Sequence, residues 1–211
     1  MALEQIGIII ALILSVVNTI LIVKKLVNEF NNKPKLLIEV LHPDEYQWYF
    51  KIPSGLYRGL KTRSYGFLSY VSILNKGSKE TSLASWFLDL KIYDNSFSRR
   101  HPISIPEPII KLGKTDNVKI LPILGTRGFF HDGSTYIRPG SSISGVSYFF
   151  ASFYGDDYYN PIFKDNKILG KFVIIDGFGR KTETEILFNE MPIEKIKEMI
   201  PDIDKIIDTL N

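Results

Sequence analysis

Three short stretches of the chain bring together side chains able to do chemistry. "GTRGFFHDG", Gly125 to Gly133, sets Arg127, His131 and Asp132 among glycines, the composition of a loop that could take an anion or a polar ligand. "HPDE" places His42, Asp44 and Glu45 close together, and "YGDDYYNP" offers Asp156, Asp157 and Asn160 as hard oxygen donors. None carries a signature. The histidine spacing matches no zinc pattern, and the aspartates lack the ordered alternation and closing Glu of an EF-hand loop. Pro43 and Asp44, directly after an apolar run, are ordinary turn residues. Neither a P-loop nor a dinucleotide-binding fingerprint nor a nucleophile elbow occurs. Cysteine is absent, which excludes disulfides, thiolate metal sites and Cys nucleophiles. The residues therefore name no catalytic group, no metal ligand and no cofactor, and the expectation is a protein that is not an enzyme.

The elements that must position any site begin with "IGIIIALILSVVNTILIVKKL", Ile6 to Leu26. From Ile6 to Val23 no residue is charged, and at about 1.5 Å per residue such a helix is long enough to cross a bilayer, with Lys24 and Lys25 snorkelling at its end. Only Glu4 is charged ahead of the run and no small-x-small cleavage pattern follows it, so an uncleaved transmembrane helix is expected rather than a signal peptide. Lys24, Lys25, Lys33 and Lys35 all come after the uncharged run 6–23, which predicts a single-pass protein with its N-terminus outside and its domain cytoplasmic. Within the span, Gly7, Ala11, Ser15 and Thr19 recur every fourth residue, with Asn18 beside them. That face would let a second helix approach, a membrane partner or another copy of the chain.

Beyond the linker "NEFNNKPK" the period changes to short alternating, β-branched or aromatic runs: "KLLIEVL", then 46–52, 66–75, 85–94, 117–123, 142–153, 168–176 and 180–188. "NKGS", "RPGS" and "DGFG" supply turn chemistry between them, the last as a tight hairpin. In "SWFLDLKIYD" Trp86, Leu88, Leu90 and Ile92 share one face, which should be core. The tail returns to helical spacing at Ile193, Ile196, Ile200, Ile203 and Ile207 and is acidic, so two short helices or one kinked helix are expected. The resulting layout is a flank at 1–5, a transmembrane helix at 6–27, a basic linker at 28–35, a β domain at 36–189 and an amphipathic helical segment at 190–211.

Composition agrees: 45% hydrophobic and 13% aromatic residues suit a β-rich core, and the net charge of +3 sits largely beside the span, so no nucleic acid is expected as a partner. "WYFKIPSGLYRGLKTR", Trp48 to Arg63, interleaves aromatics with Lys51, Arg58, Lys61 and Arg63, residue types that contact lipid headgroups. In the order of "ILNKG", "SWFLDLKIYD", "RPGSSISGVSYFF" and "DGFGRK" the chain resembles immunoglobulin-like sandwiches, without the paired cysteines of antibody domains. The resemblance implies a mainly β, antiparallel sandwich and transfers no functional residue. The expected function is a membrane-anchored binding or scaffolding module. One alternative is an accessory subunit of a membrane complex; a second is a membrane-tethered hydrolase or carbohydrate-binding domain, which requires the loops at 125–133 and 156–160 to converge at one rim.

Overall fold

The computed structural model describes residues 2–53, 56–93, 96–103, 109–111, 118–124, 136–155, 160–200 and 203–210. Helix α1 spans Ala2–Asn31. The strands are β1 (Leu36–Val40), β2 (Gln47–Ile52), β3 (Leu56–Tyr57), β4 (Leu60–Asn75), β5 (Thr81–Tyr93), β6 (Ser96–Arg100), β7 (Pro102–Ile103), β8 (Ile109–Lys111), β9 (Val118–Ile120), β10 (Tyr136–Ile137), β11 (Ser142–Tyr154), β12 (Phe163–Lys164), β13 (Lys167–Asp176) and β14 (Lys181–Glu190). Two short helices close the chain, α2 (Ile193–Met199) and α3 (Ile203–Leu210).

The protein is mainly β. One continuous sheet runs β10-β5-β13-β14-β2-β4-β11-β7, with β1 and β3 on β4, β6 on β5 and β12 on β13, and it curls into a half-barrel. Its two flanks are joined by a narrow seam, a parallel contact of β14 with β2 at Asn189–Trp48 and Glu190–Tyr49. Curling brings the flanks face to face across the main core, where Phe67 meets Phe188 at 5.3 Å and Phe149 meets Phe172 at 5.9 Å, edge to face. Each such fully buried ring contributes about 1.5–3 kcal/mol by leaving water. The expected immunoglobulin-like sandwich is a finer statement than this pairing makes, because hydrogen bonding passes unbroken from one flank to the other.

Each run read from the sequence overlaps a strand, the one at 117–123 only at Val118–Ile120. Trp86, Leu88 and Leu90 are core, as their shared face requires. The opposite face of β5 is covered as well: Arg99 on β6 lays its guanidinium 3.6 Å from the Phe87 ring and holds Asp89 through two nitrogens, at 3.0 and 3.3 Å. Between β1 and β2 the edge partner of β4 is interrupted at residues 41–46. The buried Gln47 seals that break, its Nε2 donating to the carbonyls of Leu41 and Tyr70, both at 2.9 Å.

A second core lies on the other face of β2, β4 and β11. Trp48, Phe50, Leu68 and Tyr148 pack there against Ile196 of α2, Ile200 just after it, and Ile203 and Ile207 of α3. The apolar stripe of the tail is therefore used inside the molecule, leaving its charged face outward. The tail forms two helices rather than one, the first ending at Met199 and the second starting at Ile203.

Candidate functional site

Helix α1 is four residues longer at its C-terminal end than the span read from the sequence, because Asn28 to Asn31 continue it until Pro34 forbids helical backbone before it. The segment Gln5–Glu29 has a mean hydropathy of 2.9 and is long and apolar enough to cross a membrane. None of it is buried against the β domain. On the small-residue face, Ala11, Ser15, Asn18 and Thr19 are exposed, a Cβ at Gly7 would meet nothing within 4 Å, and the Thr19 hydroxyl donates to the Ser15 carbonyl at 2.8 Å. That bond satisfies the hydroxyl within the helix and leaves the face smooth.

Residues 32–35, between α1 and β1, form a fixed junction rather than a loose tether. Asn32 continues the helical pattern by donating its backbone N–H to Asn28, and its side-chain oxygen accepts the Ser78 hydroxyl at 2.8 Å. Lys33 and Lys35 then pair with the β4–β5 turn in strand fashion: Ser78 N–H donates to the Lys33 carbonyl and Lys76 N–H to the Lys35 carbonyl. Gly77 is the residue this requires, since a Cβ there would lie 2.3 Å from the Lys33 carbonyl oxygen and 2.4 Å from the Lys35 nitrogen. Asn75, wholly buried, organises the rest. Its Oδ1 accepts the N–H groups of Lys35 and Gly77, and its Nδ2 donates to the carbonyls of Lys79 and Ile137. From the opposite flank Arg180 donates to the Pro34 carbonyl at 3.0 Å while paired with the buried carboxylate of Asp176 at 3.2 Å. Asp176 also accepts the backbone N–H groups of Phe178 and Arg180, which builds the β13–β14 hairpin around the junction.

Lys24, Lys25, Lys33 and Lys35 are exposed on the helix end and junction. Lys51, Arg58, Lys61 and Arg63 cluster at the opposite end of β4: Lys61 precedes Asn75 by fourteen residues, about 46 Å of strand. Lys51 pairs with Glu190 at 2.7 Å, and Arg63 donates to Asn160 at 2.6 Å and to the Gly155 carbonyl at 2.7 Å. Arg58 sits at φ 50° in the turn between β3 and β4. The Lys51 contact holds the Glu190 carboxyl below its ordinary value, against the opposing effect of partial burial, and Tyr49 adds a hydrogen bond at 2.9 Å. Burial and that same bond push the Tyr49 phenol up.

His42 and Glu45 face each other at 4.0 Å in the expected turn after β1, with Glu45 and Tyr46 N–H groups donating to the His42 carbonyl. Among the described residues no group of three His, Asp or Glu side chains is arranged to hold a metal ion. The loop at 125–133 and the pair Asp156 and Asp157 lie outside the described residues. A cleft of about 250 Å³ opens where β1 gives way to β2 beside β13 and β14, lined by Val40, Asp44, Gln47, Lys167, Glu185 and Leu187 among others. Sequence reasoning missed Asn75, Gly77, Asp176 and Arg180, although "NKGS" and "DGFGRK" mark the two turns that carry them.

No protein-family model and no curated protein matches the chain. In structure the chain is similar to the X-ray structure of a structural-genomics target at 10% identity and a TM-score of 0.29, over 74% of this chain and 83% of that one. It is likewise similar to a crystal structure from Bordetella pertussis described as an ApaA protein, at 12% identity and a TM-score of 0.28, over 75% of this chain and 96% of that one. Likenesses of that size carry no argument about fold or function.

Proposed function

We propose that the chain is a single-pass membrane-anchored binding or scaffolding module, with an immunoglobulin-like β domain held in a set pose at the bilayer. The observation that carries this reading is the junction. A domain tethered only to be kept near a membrane needs a flexible linker, whereas here residues 32–35 are hydrogen-bonded to both flanks through Asn75, Ser78 and Arg180. Fixing each of those residues costs about 1–2 kcal/mol of backbone entropy, which the junction's hydrogen bonds and packing must offset. The sandwich reading is supported by the strand neighbours: β14, β13, β5 and β6 on one flank and β1 or β2, β4 and β11 on the other, the first strands touching the last in parallel.

The lysines at the C-terminal end of α1 and just after it favour a cytoplasmic domain. Protease treatment of a C-terminally tagged full-length protein in intact cells and in inverted vesicles tests anchor and orientation together. Protection in cells with digestion in inverted vesicles supports the reading; digestion from outside places the domain on the other face.

A second reading, an accessory subunit of a membrane complex, is favoured by the exposed small-residue face of α1. Cross-linking within native membranes separates the two, because only the second requires a contact inside the bilayer.

A further inference from the structure

We infer that the junction end of the β domain is itself a membrane-contact surface for anionic lipid headgroups, with Phe178 and Tyr136 entering the interface. This rests on the reading of α1 as a membrane anchor and extends it from the helix to the domain. The basic residues near the span in sequence are joined by others that only the fold brings there. Lys76 and Lys79 lie in the β4–β5 turn on which the linker pairs, and Arg138 opens the turn whose Gly140 N–H donates to the Asn75 carbonyl. All three are exposed, as is Lys35 beside them. Among the described residues of segments 32–35, 76–80 and 136–141, Glu80 is the exposed acid, with Glu29 on the last turn of α1, so basic groups prevail there.

The aromatic residues point the same way by their exposure. Phe178 is 63% and Tyr136 60% exposed, the two highest values among the described Phe, Tyr and Trp rings. Phe178 tips the β13–β14 hairpin, with the Arg180 guanidinium 5.1 Å from its ring centre, and that same guanidinium donates to the Pro34 carbonyl. One side chain therefore separates Phe178 from the linker. Tyr136 pairs with Ser82, whose carbonyl accepts the Gly177 N–H, so both rings flank the start of β5. Exposed aromatics set among lysines are the composition of a membrane interface, where the ring enters the headgroup layer and each cation meets anionic lipid. The linker between the last turn of α1 and β1 is too short to hold this end away from the leaflet that the helix crosses. Each basic residue in contact with an anionic leaflet is worth about fivefold in binding. The cluster expected from the sequence, Lys51, Arg58, Lys61 and Arg63, lies at the far end of β4 and takes no part.

The test uses the full-length chain in lipid nanodiscs. Phe178→Trp places a reporter at the tip, against Trp48 and Trp86, which are buried. Nanodiscs of phosphatidylcholine with brominated acyl chains are compared with the same nanodiscs containing about one-third phosphatidylglycerol. The expected result is quenching of the added tryptophan about twofold or more stronger in the anionic discs. That excess should vanish in high salt and in a Lys76→Gln, Lys79→Gln, Arg138→Gln background whose circular dichroism is unchanged. Equal quenching in both compositions, or none in either while the protein resists extraction by alkaline carbonate, overturns this inference and leaves the anchor standing. Release by carbonate removes the anchor and the inference together.

Discussion

The side-chain oxygen of Asn75, at the end of β4, accepts the backbone N–H of Lys35, in the linker, at 3.2 Å. One amide thereby ties the linker after α1 to the core. Because the same group also serves Gly77, Lys79 and Ile137, its removal orphans backbone donors and acceptors on three segments. Asn75→Ala is expected to cost about 2–4 kcal/mol, read as a shift in the urea midpoint. Asn75→Asp should be worse at neutral pH than at low pH, since it aims a carboxylate at the Lys79 and Ile137 carbonyls. An Asp variant as stable as Asn at pH 7 would mean that the donating half of the amide does nothing.

Gly77 supplies the second prediction. Its missing Cβ leaves room for the linker backbone, which no side-chain movement could restore. Gly77→Ala should detach residues 32–35 from the β4–β5 turn at a cost of about 1–3 kcal/mol, leaving the flanks paired. Tryptic cleavage should then accelerate after Lys35, the Lys33–Pro34 bond being resistant, while cleavage within the domain is unchanged. Uniform acceleration at every site would instead show global unfolding.

The C-terminal helices supply the third. Ile196, Ile200, Ile203 and Ile207 cover Trp48, Phe50 and Tyr148, so the tail completes a core instead of waiting for a partner. Ile200→Ala should cost about 2–4 kcal/mol. Deleting residues 191–211 should leave a chain that binds an apolar dye and aggregates. A truncated form that stays monomeric with an unchanged thermal midpoint would instead make the tail a free docking element.

Much of this architecture was legible in the sequence because long strands repeat with period two and helices with period near four. The runs at 66–75, 142–153 and 168–176 are each part of longer strands of the sheet, and Trp86 lies on its expected face. The short strands escaped notice because two-residue pairs such as Phe163–Lys164 and Tyr136–Ile137 are set by their neighbours and carry no period of their own. The burial of Phe87 and Asp89 escaped for a related reason: their face reads as mixed until Arg99, ten residues beyond Asp89, folds back over it. At the junction the turns were visible but their purpose was not. "NKGS" and "DGFG" announce tight turns, whereas the contacts of Asn75 with Lys35 and of Arg180 with Pro34 span 40 and 146 residues, and no local pattern encodes a pairing at that separation.

The last prediction concerns the seam between the flanks. Glu190 pairs along the strand with Tyr49, accepts the Tyr49 hydroxyl and is bridged to Lys51, so these side chains brace a parallel contact of β14 with β2 that has little backbone pairing of its own. The Lys51 bond holds the Glu190 carboxyl below the ordinary 4.5, more than burial raises it. A carboxyl with a lowered folded pKa stabilises the native state above its unfolded value, and the unfolded chain binds the proton first as pH falls. The contribution is therefore full at neutral pH and disappears as pH drops through the folded value, below 4.5. Both side chains are well exposed, so water and salt screen the pair and the effect should stay under about 1 kcal/mol. Glu190→Gln keeps an acceptor for Tyr49 and removes only the charge. Urea midpoints of wild type and this variant should differ modestly at pH 7, converge as pH falls below 4.5, and differ less in high salt. A gap that persists unchanged at low pH would assign the stabilisation to the Tyr49 hydrogen bond or to packing, and would leave the seam held without the ion pair.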